Sequence, residues 1–231
     1  LGMHEYVPGF ENDVDANNAI DAVDVQNVIN GALGLTAPKA SYTDTNFDGN
    51  DETLFVRISD GATQIELTYV LTGSATGSGA SGLIELIKVQ NISGSVQDYS
   101  FFQYADFDLN GTIGNDTGVM LNPNTVQQSD TSAVLTETVA TPAADHYELD
   151  IYPSTLDHLN DGAISTLSDM PGFGTSLFGD VTWAFQWDFT LADGGTYIIS
   201  KDKSLRIPAP GALLLAGLGL PMIGWVRRKY A

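Results

Sequence analysis

Val181-Thr-Trp183-Ala-Phe185-Gln-Trp187-Asp-Phe189-Thr-Leu191 places a large apolar residue at every second position. A pleated strand produces this period, because successive side chains point to opposite faces and one face is buried. The alternation returns in Ile65, Leu67, Tyr69 and Leu71, and in Tyr147, Leu149 and Ile151. Further strand-like runs lie at Leu54 to Ser59, Leu83 to Asn91, Tyr99 to Ala105, Val134 to Val139 and Gly195 to Ser200. Clusters of Gly, Asn, Asp and Ser separate them, among them Gly73 to Gly82 and Asp193-Gly194-Gly195, which are turn signals. Residues 41–206 therefore read as a mainly β body, an antiparallel β-sandwich or jelly roll, with Trp183, Phe185, Trp187 and Phe189 in its core.

Charge divides the chain unequally. Residues 1–200 carry three basic side chains, Lys39, Arg57 and Lys88, against 28 acidic ones, whereas residues 201–231 carry six basic and one acidic. A body this negative repels phosphate backbones, which excludes nucleic acid as a partner. It attracts divalent cations and keeps an extracellular surface solvated. There is no Cys, so disulfides, thiolate metal sites and Cys nucleophiles are excluded. The chain begins Leu1-Gly-Met-His-Glu-Tyr without a secretory leader, as expected of an exported chain whose leader has been removed.

The acidic residues are ordered near the start. In Asp13-Val-Asp15-Ala-Asn17-Asn18-Ala19-Ile20-Asp21-Ala-Val-Asp24, oxygen-bearing side chains fall at loop positions 1, 3, 5, 9 and 12, the alternation with which a tight turn surrounds calcium. Ala19 supplies a backbone carbonyl and Ile20 an apolar anchor; Val25, Val28, Ile29, Ala32 and Leu33 then form one helical stripe ending at Gly34. Loop plus helix, within residues 1–40, resembles one half of a dockerin-type calcium repeat, with no second good copy to grip a cohesin. Two shorter strings, Asp44-Thr-Asn46-Phe-Asp48 and Asp106-Phe-Asp108-Leu-Asn110-Gly111, begin the same way. They are further calcium candidates, to be weighed against Asx-rich turns that hold no metal.

At the other end, Ile207-Pro-Ala-Pro210 leads into Gly211 to Val226, which contains no charged residue, and then into Arg227-Arg-Lys229. A hinge, an apolar run and a basic cluster in this order suit a tail that stops in a membrane with its basic end in the cytoplasm. Residues 207–231 resemble the PEP-CTERM sorting signal of exported bacterial proteins, with Ala209 where that family has Glu. The resemblance implies export, contact with the membrane and with an exosortase, and a surface or matrix location; the Ala argues for a tail that is retained. The phrases Phe101-Phe-Gln-Tyr-Ala-Asp-Phe-Asp-Leu and Phe189 to Lys203 are similar to the β-rich bodies of that family, which carry no defined chemistry.

Catalytic signatures are missing. His4, His146 and His158 lack zinc-ligand spacing. There is no nucleophile elbow, and Gly73-Ser-Ala-Thr-Gly-Ser-Gly79 lacks the Lys and following helix of a phosphate loop. Glu137 and Glu148 would serve a glycosidase only if the fold brought them together. A carbohydrate-binding module would need an exposed aromatic pair among Tyr99, Phe101, Tyr104 and Tyr152. Asn91, Asn110 and Asn115 each begin a glycosylation triplet. The expectation is a non-enzymatic, calcium-stabilised structural protein that assembles with copies of itself, probing polysaccharide binding as the alternative.

Overall fold

In a computed structural model, residues 2–5, 39–45, 52–74 and 78–207 are described. The chain is mainly β. In order its elements are β1 (Gly2–Glu5), β2 (Lys39–Thr43), β3 (Thr53–Ser59), β4 (Thr63–Gly73), β5 (Ala80–Asn91), β6 (Gln97–Asp106), β7 (Asp116–Asn122), β8 (Thr125–Ser129) and β9 (Val134–Thr141). There follow β10 (His146–Ile151), one short helix α1 (Ser154–Leu159), β11 (Ser176–Gly179), β12 (Val181–Leu191) and β13 (Thr196–Arg206).

The strands form two sheets, a four-stranded one in the order β1-β6-β12-β10 and a nine-stranded one in the order β11-β7-β8-β9-β13-β5-β4-β3-β2. Both contribute to one apolar core, which holds Val56, Leu67, Ile87, Val89, Met120, Leu135 and Ile199 from the larger sheet and Phe101, Leu149, Trp183, Phe185 and Trp187 from the smaller. The arrangement is sandwich-like, as the period-two reading requires. The large sheet is built of neighbouring hairpins, β2 to β5 and β7 to β9, with β13 inserted between β5 and β9. That order differs from the two four-stranded sheets of a jelly roll.

Local chemistry explains the corners. Asp60 Oδ1 accepts from the backbone of Ala62 and Thr63 at 2.8 and 2.7 Å, and this Asx turn reverses β3 into β4. Asn91 is fully buried where β5 leaves for the small sheet; its Nδ2 donates to the carbonyls of Ser95 (2.6 Å) and Leu191 (2.9 Å). The amide thereby ties β5 to the end of β12, and a glycan on that nitrogen would take one of the two hydrogens that make these bonds. Gly118 lets β7 approach the small sheet, since a Cβ there would lie 3.1 Å from Leu149 Cδ1 and 3.2 Å from Val181 Cβ.

β12 departs from the simple alternation. Val181, Trp183, Phe185 and Trp187 are buried as expected, but so are Thr182, Ala184 and Gln186 on the opposite face. The chain after α1 covers that second face: Leu167 packs with Phe102 and Ala184, and its N–H donates to Gln186 Oε1 at 2.9 Å. Phe189 is only partly buried and stacks between Tyr197 (3.9 Å) and Tyr99 (5.4 Å).

Candidate functional site

Four charged side chains lie in the interior between the sheets. On β13, Lys201 stands opposite Glu85 of β5, and Lys203 opposite Glu137 of β9. Residues two apart on a strand share a face, so both lysines point inward while Asp202 points out. Lys201 Nζ lies 2.6 Å from Glu137 Oε1 and 2.9 Å from Glu85 Oε2, and Lys203 Nζ lies 2.9 Å from Glu85 Oε2. The small sheet supplies further donors: Trp183 Nε1 to Glu137 Oε2 at 3.1 Å, and Gln103 Nε2 to Glu85 at 3.1 and 3.2 Å. All four carboxylate oxygens are bonded and the charges balance. Burial pushes the Glu85 carboxyl up, but the ammonium groups of Lys201 and Lys203 outweigh it and hold the group at about 2. Glu137 is shifted down by the same opposition, burial against Lys201 and then Lys203.

Glu137 and Glu148 do not meet. Glu137 faces the interior, whereas Glu148 is opposite Ala184 and shares its outer face, where it accepts from His158 Nδ1 and the Ser168 backbone, each at 3.1 Å. The small sheet stands between them. On that outer face a cleft of about 510 Å³ is lined by Asp98, Ser100, Ser165, Asp188 and Thr190, among others. Its walls mix these carboxylates and hydroxyls with Tyr99, Ile164 and Phe189. Of the four aromatic candidates for sugar binding, Phe101 and Tyr104 are buried, Tyr99 is half-buried against Phe189, and only Tyr152 is exposed.

A second polar region lies under the turn between β6 and β7. Asp106 ends β6 half-buried, its Oδ2 accepting from Tyr104 Oη at 3.1 Å. Asp108 and Asn110 are exposed; Asn110 (φ 59°) and Gly111 (φ 67°) both take the left-handed backbone that closes this loop. Beneath it, Asp116 is 2 % exposed and its Oδ2 accepts from the Leu109 N–H (3.3 Å) and from Gln128 Nε2. Gln128 is 1 % exposed and also donates to the Phe107 carbonyl at 2.6 Å. Asp116 Oδ1 and Gln128 Oε1 are buried and accept no hydrogen bond within the protein. Burial raises Asp106 to about 6 against the Tyr104 hydroxyl, with Asp180 and Asp108 adding repulsion. Burial likewise raises Asp116 and Asp180, and Asp108 repels both.

Asp13, Asp15, Asn17, Ala19, Asp21 and Asp24 lie outside the described residues, as do Asn46 and Asp48; Asp44 follows β2. Among the described residues no three His, Asp or Glu side chains converge to hold a metal by themselves. Asn110 and Asn115 are exposed. Sequence reading missed Asp116 and Gln128, which share the inward face of the β7–β8 hairpin with Gly118, Met120 and Val126.

The sheet edges differ in cover. Segment 169–170 protects β10, through Leu149 N–H to Met170 O and Asp169 N–H to Tyr147 O, each 2.9 Å. β6 carries β1 along Phe102 to Ala105, in the one ladder between named strands that runs parallel among the described residues. On the outer face of the large sheet, Ile84, Leu86 and Ile198 are exposed beside the half-buried Phe55 and Val70. Among the described residues no helix is long and apolar enough to cross a membrane, and residues 208–231 lie outside them. No protein-family model and no curated protein sequence matches the chain.

Proposed function

We propose that the protein is a non-enzymatic structural protein of the cell surface or extracellular matrix that assembles head to tail, β1 of one copy completing the β6 edge of the next. The observation that carries this reading is the short parallel strand itself. It adds to a stretch of β6, Phe101 to Ala105, in which every residue is buried. Backbone N–H and C=O groups in a buried stretch need partners, and β1 supplies them along this edge. Thirty-three residues, 6–38, join β1 to β2, which pairs on the far edge of the other sheet.

A strand from another copy makes the same bonds as one from the same chain, so exchange is a low-cost route to association; because the two contacting surfaces differ, the contact repeats into a filament. The apolar patch of Ile84, Leu86 and Ile198 offers a second contact. Residues 207–231 would serve as anchor or further subunit contact after passage through the membrane and an exosortase. Calcium at Asp13 to Asp24 would offset the repulsion of subunits with a net charge of −20. Polysaccharide binding is less well supported, because the two aromatic residues lining the cleft over the small sheet, Tyr99 and Phe189, are half-buried and stacked on each other, which leaves no open ring face for a sugar.

The absence of Cys makes cross-linking specific. Glu5 and Ala105 are register partners, so chains carrying Glu5→Cys and chains carrying Ala105→Cys are mixed during assembly and oxidised. Covalent dimers are the expected product. If the mixture gives none while the double variant closes on itself, β1 belongs to its own chain and the exchange is wrong.

A further inference from the structure

Two buried oxygens without a hydrogen-bond donor, Asp116 Oδ1 and Gln128 Oε1, belong to side chains bonded to each other. Their neighbours fix where they sit. Asp116 is held by the Leu109 N–H and Gln128 by the Phe107 carbonyl, so both lie directly beneath the loop that carries Asp108 and Asn110. An acceptor buried without a partner costs about 1–3 kcal/mol, and a native fold that retains two in one place has something to fill the need. Both are oxygen atoms and neither can donate if Asp116 is ionised. The missing complement is therefore electron-poor: a cation, or a water giving both its protons.

Charge separates these. Asp108 is exposed, makes no side-chain bond to cap its turn, and repels Asp116 across the loop. Nothing basic is paired with either carboxylate among the described residues. Two carboxylates and a carboxamide oxygen, with loop carbonyls and water to complete the shell, are the oxygen donors that a hard divalent ion takes. A set with only two carboxylates also agrees with the lack of any three-acid cluster.

We propose that Asp116, Gln128 and Asp108 form a site for a hard divalent cation of the calcium class, which bolts the loop between β6 and β7 to the β7–β8 hairpin. The site lies inside one subunit and does not rest on assembly. Filaments without cation uptake, or uptake without filaments, would separate the two claims.

The test uses the full chain with Asp13→Asn, Asp15→Asn, Asp21→Asn and Asp24→Asn, so that the N-terminal loop cannot contribute. Titration with calcium chloride in a calorimeter should show one ion per chain, with a rise in melting temperature. Asp108→Asn, at an exposed position where folding is not at stake, should weaken binding by at least about tenfold, with an unchanged circular dichroism spectrum. Asp116→Asn should abolish it; if that variant does not fold, Asp108→Asn decides alone. No heat and no thermal shift would mean that water, or a proton held by Asp116 itself, fills the position, and affinity indifferent to Asp108→Asn would place the ion elsewhere. Either result overturns the proposal.

Discussion

Two polar regions are buried in the same body, and they are finished to different degrees. The Glu85, Glu137, Lys201 and Lys203 group is closed: its charges cancel and every carboxylate oxygen has a donor. The region of Asp116 and Gln128 is acidic and has two oxygens that accept nothing from the protein. Both have carboxylates among mostly apolar neighbours, so burial alone does not distinguish a structural cluster from a ligand site. The difference lies in whether the protein supplies the complement. Where it does, the group joins β5, β9 and β13 to Trp183 and Gln103 of the other sheet; where it does not, something outside the chain is required.

The contrast can be broken most forcefully at Lys201. Lys201→Met leaves two buried carboxylates with one ammonium, and removal of one partner from a buried ion pair costs about 3–5 kcal/mol. Urea unfolding measures this directly, and a loss below about 1 kcal/mol would deny the closed cluster its structural weight. Acid titration sharpens the same point. Glu85 is held at about 2 in the fold against an ordinary 4.5. A depressed carboxyl contributes stability that is complete above the ordinary value and is lost as pH falls through the folded one. The parent should therefore lose stability progressively between pH 4.5 and about 2, while Glu85→Gln, weaker at neutral pH, should vary less across that window.

On the open side, in a chain with the Asp13 to Asp24 loop silenced, calcium in hundredfold excess over its dissociation constant should add about 2.7 kcal/mol, read as a thermal shift that Asp108→Asn removes. The closed cluster should show no such response: if calcium still stabilised a Lys201→Met chain that also carries Asp108→Asn, the distinction would fail. Ile198→Ser, on the outer face of the large sheet, should change stability by no more than about 0.5 kcal/mol yet reduce association between subunits, as sedimentation would register. A variant that associates like the parent removes that face from the contact.

The apolar strands were legible because their burial and their hydropathy share a period: β12 runs from Val181 to Leu191 as its alternation implied, and β3 to β6, β9 and β10 lie where their runs placed them, while β13 continues to Arg206, past the Ser200 at which its run ended. β7 and β8 were hidden because their inward positions include Asp116, Gly118 and Gln128, which give no apolar signal. The same substitution that conceals the hairpin creates the proposed cation site. Lys201 and Lys203 fell beyond the run read as a strand, and their partners Glu85 and Glu137 are distant in sequence; one chain cannot reveal pairing across strands. The Asp106 string was legible as a calcium candidate or an Asx-rich turn; that its floor is made by β7 and β8 depended on tertiary packing. β1 is too short for periodicity to declare it.

The assembly of the intact chain, viewed by electron microscopy with and without a calcium chelator, tests the central claim most directly. The account predicts ordered filaments with a strand crossing from each subunit to the β6 edge of the next, and loss of order on chelation. Dispersed single particles in both conditions, each with β1 on its own β6, would contradict it.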